Sequence, residues 1–182
     1  MKDKDKKLAI LGGNKAIKYT HPHWQWPQTS NEEIDAVIKY MKTGKKNKFG
    51  YPKVVEQFES AFAKYHNVKY ALTTNSGTSS LHAAFFALGV GEGDEVIAPT
   101  LTFHATASPL KQLKALPILC DCEPETGNIN PKDIRKKINK KTKAIVITHL
   151  CGHPCEMDEI LDISKRNNIP LIEDCSHAHG SL

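Results

Sequence analysis

Three short stretches of this sequence carry residue types that could bind an anion and a planar ring. The first is NSGTSSLHAAFFALG, where an apolar run ends at Thr74 and a helical pattern opens just past Gly77 and Thr78. A helix amino terminus presents unpaired N–H groups and a partial positive charge, and glycine permits close backbone approach. Gly77, Thr78 and Ser79 are therefore candidate phosphate contacts. The plainer alternative is that Ser76 or Thr78 only caps the helix.

The second stretch is PLIEDCSHAHG, at the end of a short apolar run. In an open α/β sheet, ligands bind beyond the carboxyl ends of the strands, which puts Glu173, Asp174 and His177 where a site would form. Asp174 could pair with a protonated ring nitrogen and keep a pyridinium charged, making that ring an electron sink. It could equally close a turn. The third stretch, PTLTFHATASPL, brings Phe103 to the same edge of the sheet, where its face could stack on a planar ring or serve as ordinary core.

A fourth pattern invites a metal reading. His149, Cys151, His153 and Cys155 alternate in HLCGHPC, and both residue types bind zinc. Continuous alternation does not match the usual paired ligand spacings, and Gly152 with Pro154 reads as a turn after a strand, so no metal site is expected. Five cysteines are an odd number, and nothing in the sequence suggests export, so free thiols are expected rather than a disulfide framework.

These stretches need a scaffold, and the order of patterns supplies one. Ile34, Val37, Ile38 and Met41 share one helix face, with Ser30 and Glu33 forming a capping box ahead of them, so a helix is expected from about Asn31 to Lys42. Val54, Val55, Phe58, Phe62 and Tyr65 mark a second helix ending near His66. Residues 1–30 read as an irregular arm, and residues 31–68 as two leading helices. From Lys69 onward short apolar runs alternate with helical stretches, the signature of βαβ units and a mainly parallel sheet. Strands are expected at Tyr70 to Thr73, Glu95 to Ala98, Pro117 to Cys120, Lys143 to Thr148 and Pro170 to Glu173. Helices are expected at Ser79 to Leu88, Phe103 to Leu113, Pro131 to Ile138 and Met157 to Asn167, the last with Ile160, Leu161 and Ile163 inward.

At 182 residues, 40% hydrophobic and 25% charged, the chain has the profile of a globular α/β protein with one domain or most of one. No apolar run approaches the ~18 residues of a membrane helix, and the start MKDKDKK has no apolar stretch to act as a secretory signal, so the expected compartment is cytoplasmic, with no membrane partner. The net charge of +5 comes from scattered lysine groups (Lys2 to Lys7, Lys45 to Lys48, Lys136 to Lys143) without interleaved aromatics. Such runs are solvated faces, and nucleic-acid binding is not expected.

In these same motifs the sequence resembles the DegT/StrS family of pyridoxal-phosphate aminotransferases. The likeness runs from about Leu11 to the last residue, through FESAFAKYHNVKYALTTNSGTSSLHAAFFALGVGEGDEVIAPTLTFHATA, DCEPETGNINP, KAIVITHLCGHPCEMDEI and IEDCSHAHG, in family order. The resemblance implies the fold-type-I large domain over residues 69–182, incomplete at its carboxyl end, and pyridoxal 5′-phosphate as cofactor. It assigns the phosphate turn to Gly77 and Thr78, the stacking aromatic to Phe103, the acid for the pyridine nitrogen to Asp174, and a side chain near the ring oxygen to His177. It further implies a homodimer that moves an amino group from glutamine or glutamate to a keto sugar or keto-cyclitol. LAILGGNKAIKY and HWQWP are closest in wording to members that aminate a keto-inositol.

In that family the Schiff-base lysine follows the EDxxxxHG motif, and no lysine stands there in this sequence. The chain therefore reads as the amino-terminal part of such an enzyme, inactive alone. A non-catalytic remnant or binding module of the same fold, and a sugar dehydratase with histidine in place of that lysine, are the competing readings. In fold type I the first strand lies beyond two later strands, so Tyr70 to Thr73 is expected to lack a neighbour and Pro170 to Glu173 to form an open apolar edge.

Overall fold

The structure, a computed structural model, describes residues 7–16, 28–46, 50 and 52–181. The HWQWP part of the arm, Lys2 to Lys6, Lys48 and Leu182 lie outside the described residues. The chain divides into two compact units, Met1–Phe58 and Glu59–Leu182.

In the first unit, α1 spans Asn31–Thr43. Its capping box is reciprocal: Ser30 Oγ accepts the Glu33 N–H at 3.2 Å, and Glu33 Oε2 accepts the Ser30 N–H at 2.7 Å. Gly44 stops the helix in the left-handed conformation and donates its N–H to the Tyr40 carbonyl. The apolar face of Ile34, Val37, Ile38 and Met41 is exposed.

α2 (Lys53–Tyr65) leads into the second unit, where α3 (Gly77–Ala87), β1 (Glu95–Pro99), α4 (Ser108–Gln112), β2 (Leu116–Cys120), α5 (Pro131–Lys137), β3 (Thr142–Thr148), α6 (Met157–Asn167) and β4 (Leu171–Asp174) follow in order. The four strands form a parallel sheet in the order β2-β1-β3-β4. The central strands β1 and β3 are apolar and buried on both faces, as crossover helices on either side require, while the outer strands β2 and β4 are only partly buried.

The two faces bury separate clusters. Val96, Ala98, Ala144 and Val146 pack on Leu81 and Phe85 of α3 and Leu110 of α4, with Ile172 beside them. Ile97, Ile145 and Ile147 pack on Ile134 of α5 and on Ile160 and Ile163 of α6, with Leu171 beside them. Side chains along a strand point alternately to opposite faces. This alternation carries Thr148 and Asp174 to the α3/α4 face, and Glu173 to the α5/α6 face.

Three expectations need correction. Tyr70 to Thr73 is not a strand: it pairs with no other strand among the described residues, and Tyr70 and Leu72 stay 77% and 79% exposed. Its backbone is held by a side chain instead, since Glu59 Oε1 accepts the Thr73 N–H at 2.7 Å and its hydroxyl at 2.8 Å. A β-prone run without a partner strand has no ladder to join. The helix expected over Phe103 to Leu113 splits into a 3₁₀ turn at His104–Thr106 and the short α4, because Pro109 lacks an N–H and is tolerated only at a helix start. Leu161 is exposed, as α6 turns only Ile160 and Ile163 fully inward.

Candidate functional site

α3 runs back to the start of β1 through the turn at Gly89 to Asp94, so its amino terminus lies at the carboxyl end of the sheet. Ser76 is the cap: its Oγ accepts the Ser79 N–H at 3.1 Å. This occupies the Ser79 N–H, leaving its hydroxyl, which accepts from Ser76 Oγ at 3.1 Å, as the group Ser79 could offer a phosphate. Among the described residues the Gly77 and Thr78 N–H groups have no recorded partner, and a Cβ at Gly77 would meet nothing within 4 Å, so the approach to them is open. Capping and anion binding are thus compatible, using different N–H groups of one turn.

Phe103 follows β1 and is 65% exposed, with the His104 ring tilted against it at 4.2 Å. It is therefore not core. The neighbouring Thr102 fixes its position. Thr102 Oγ1 lies 2.8 Å from Thr106 Oγ1 and 2.9 Å from Thr148 Oγ1. Thr106 is fully buried in the 3₁₀ turn, which packs on α3, and Thr148 stands in register with Asp174. One hydroxyl chain therefore links the Phe103 loop, the α3 layer and the strand pair that ends at Asp174.

Asp174 closes β4, and its hydrogen bonds among the described residues run to Oδ1 alone, from the Ser176 N–H at 3.1 Å and hydroxyl at 2.5 Å. Asp174 Oδ1 thus closes a turn, while Oδ2 accepts no hydrogen bond among the described residues. Gly77, Thr78, Phe103 and Asp174 all lie at the carboxyl end of the sheet, with Gly77, Thr78 and Asp174 on the α3 face. His177 is in the loop beyond, exposed, and its ring bonds to none of the described residues. Its backbone is fixed at Gly152, where an added Cβ would sit 2.8 Å from the His177 carbonyl oxygen and where φ is +84°.

Of the groups that hold this rim, residue types and spacing singled out His149 alone, and that as a possible metal ligand. The buried polar side chains among the described residues are Thr106, Asn128, Thr148 and His149, all beyond or at strand carboxyl ends. Asn128 clamps the turn after β3: its Oδ1 accepts the Leu150 N–H at 3.0 Å, and its Nδ2 donates to the His153 and Pro154 carbonyls at 3.0 and 3.1 Å. The signal available was an amide in GNINP, inside a loop that must reach another loop.

His149 accepts the Cys155 N–H on Nδ1 at 3.0 Å and faces Glu173 Oε2 from Nε2 at 3.2 Å. Since Nδ1 accepts, the proton sits on Nε2 and is donated to the carboxylate. His149, Glu173 and Cys175 offer metal-ligand atoms within 4.8 Å of one another, but the imidazole lone pair is already used on Cys155. Ligation through Nε2 would demand loss of that bond or an imidazolate, so the chemistry of the donor set argues against a metal. Of the HLCGHPC stretch, only His149 joins that group. All five cysteines are free thiols.

A cleft of about 670 Å³ opens beside this cluster, lined by Tyr65, His66, His149, Met157, Glu173 and Ser181 among others. None of Gly77, Thr78, Phe103, Asp174 or His177 lines it. The cavity and the candidate anion and ring contacts are separate features. No helix of the described residues is long and apolar enough to cross a membrane.

Residues 27–182 match the DegT/DnrJ/EryC1/StrS aminotransferase family. The chain belongs to this family. It is 47% identical over 127 residues to a GDP-perosamine synthase of Escherichia coli O157:H7, covering 70% of this chain and 35% of that protein. It is 37% identical over 178 residues to an L-glutamine:2-deoxy-scyllo-inosose aminotransferase of Streptomyces lividus, covering 96% and 42%. Among solved structures, the aminotransferase from Psychrobacter cryohalolentis superposes with a TM-score of 0.81 at 39% identity, over 85% of this chain and 39% of that one. The ntda protein of Bacillus subtilis, solved with bound cofactor PMP, superposes with a TM-score of 0.74 at 32% identity, over 83% and 35%. The family member described here therefore spans well under half the length of these relatives. Its sheet is the α/β sheet of pyridoxal-phosphate aminotransferases.

Proposed function

We propose that this chain carries the phosphate and ring contacts of a pyridoxal-phosphate-dependent aminotransferase whose acceptor is a keto sugar or keto-cyclitol. The observation that carries the reading is the gathering of an open helix amino terminus, an exposed aromatic face and a carboxylate with a free oxygen at one end of a parallel sheet. That donor set fits the cofactor: N–H groups for its phosphate, a ring for its ring, an acid for its pyridine nitrogen. When bound, the cofactor supplies an electron sink that lets an amino group leave one carbon and join another.

In this reading the Gly77 and Thr78 N–H groups hold phosphate oxygens, helped by the positive end of the α3 dipole. Phe103 limits the ring to one plane and keeps water from that side. Asp174 holds a proton on the pyridine nitrogen, which an amide at the same place could not do. His177, three residues beyond Asp174, is the candidate side chain for the ring's oxygen. The relatives' names, a GDP-perosamine synthase and an L-glutamine:2-deoxy-scyllo-inosose aminotransferase, support a nucleotide-linked sugar or a cyclitol as acceptor class and glutamine as donor. Glutamate as an alternative donor and a homodimer as the working assembly are part of the proposal and rest on the family resemblance alone.

The test is a comparison in protein carrying this chain, loaded with the cofactor, given each acceptor class in turn. Asp174→Asn should retain phosphate anchoring while amino transfer falls on the order of 10²-fold, as when one preorganised electrostatic group is removed. Parental turnover in the loaded variant would remove Asp174 from this role.

A further inference from the structure

Glu173 and Asp174 are adjacent carboxylates at the end of β4, and only alternation along the strand decides which faces the α3 layer. A slip of one residue against β3 would exchange them. The apolar pattern does not prevent this: Leu171 and Ile172 pack on opposite faces, and either serves either face. Among the described residues β4 pairs with β3 alone, so its register within this chain is set against β3.

We propose that His149 is a positioning residue that pins this register and so selects Asp174, rather than Glu173, for the candidate cofactor face. His149 grips β4 twice. Its N–H donates to the Asp174 carbonyl at 3.2 Å, and its Nε2–H reaches Glu173 Oε2 at 3.2 Å. The imidazole is itself immobile: its side chain is 6% exposed, and Nδ1 is held by the Cys155 N–H ahead of α6. A fixed donor on the α5/α6 face is satisfied when a carboxylate lies opposite. After the slip that moves Glu173 into the Asp174 position it would meet Ile172, leaving a buried N–H without a partner. The selection of Asp174 rests on the cofactor reading above; the pinning of register does not.

Two substitutions separate the bonds of His149. In His149→Asn the side-chain oxygen can still accept from Cys155 but no donor reaches Glu173. In Glu173→Gln an amide oxygen still accepts from Nε2–H, and Glu173→Ala removes the acceptor. The readouts are the cross-strand backbone proton contacts of β3 with β4, in particular Thr148 with Asp174, and the affinity for pyridoxamine 5′-phosphate. His149→Asn and Glu173→Ala should show a second set of cross-strand contacts and bind the probe about tenfold more weakly, the scale of one hydrogen bond to a charged group. Glu173→Gln should keep one register and near-parental affinity. A single unshifted register in both His149→Asn and Glu173→Ala would overturn the proposal, and if Glu173→Ala does not fold, the contrast of His149→Asn with Glu173→Gln decides. Absence of probe binding by the unsubstituted chain would count against the cofactor reading alone, with the cross-strand contacts still deciding the role of His149.

Discussion

The hydroxyls of Thr102 and Thr148 lie 2.9 Å apart, joining the loop that carries Phe103 to the strand that pairs with Asp174. Thr148 is buried and Thr102 continues the chain to buried Thr106, so the bond is shielded from water. Thr148→Val preserves shape and β-propensity but leaves Thr102 with one partner fewer. It should cost about 1 kcal/mol of stability and weaken pyridoxamine 5′-phosphate binding by more than this loss of stability explains. Thermal unfolding and calorimetric titration of the same samples check both.

Gly152→Ala tests the seating of His177. The new Cβ would lie 2.8 Å from the His177 carbonyl oxygen, at a φ that side chains rarely adopt. Backbone cannot yield there as a flexible side chain would, so a loss of about 1–3 kcal/mol is expected. Denaturant unfolding measures it, and an unchanged midpoint would show that the loop moves freely away from the turn.

How much of this was readable beforehand differs by element. Ser30 and Glu33 announced the start of α1 because a capping box is local chemistry, complete within four residues. The four strands were readable as short apolar runs between helical stretches, unbroken in β1 and β3 because those are buried on both faces. Tyr70 to Thr73 has the composition of a strand but, as the family resemblance implied, no neighbour among the described residues, and without a partner it does not form one. The positions of Gly77, Thr78, Phe103 and Asp174 followed from placing motifs at strand ends. Asn128 and Thr148 escaped notice as site residues, and His149 was noticed only as a possible zinc ligand, because their partners Leu150, Thr102 and Glu173 lie 22 to 46 residues away and no spacing rule covers such distances.

Hydrogen exchange should reflect that contrast. Tyr70 and Leu72 are exposed and outside any ladder, whereas Ile145, Val146 and Ile147 are fully buried in a strand paired on both sides. The first pair should exchange near the rate of an open chain and the second group only through large-scale opening. Equal protection would show that the 70–73 segment finds a partner strand in solution.

Thiol alkylation should follow burial. Cys151 is exposed and should react first with iodoacetamide. Cys155 is pushed up to about 11 by burial, so at pH 8 it stays a thiol and reacts slowly, gaining reactivity as pH rises toward that value. Burial, with Asp133 beside it, raises Cys120 further still, and it should react last. Peptide mass mapping after timed labelling gives the order, and early modification of Cys120 would contradict its buried position.

The central claim is that the carboxyl end of this sheet forms a phosphate and ring site. Amide resonances of the ¹⁵N-labelled chain, followed while pyridoxamine 5′-phosphate is added, test it without requiring a covalent link to any lysine. The account predicts saturable shifts centred on Gly77, Thr78, Phe103 and Asp174, lost when Asp174 is intact but Gly77 is replaced by a residue that crowds the α3 turn. Shifts confined to the cleft around Tyr65, Met157 and Ser181, with Gly77 and Thr78 unmoved at saturation, would contradict it.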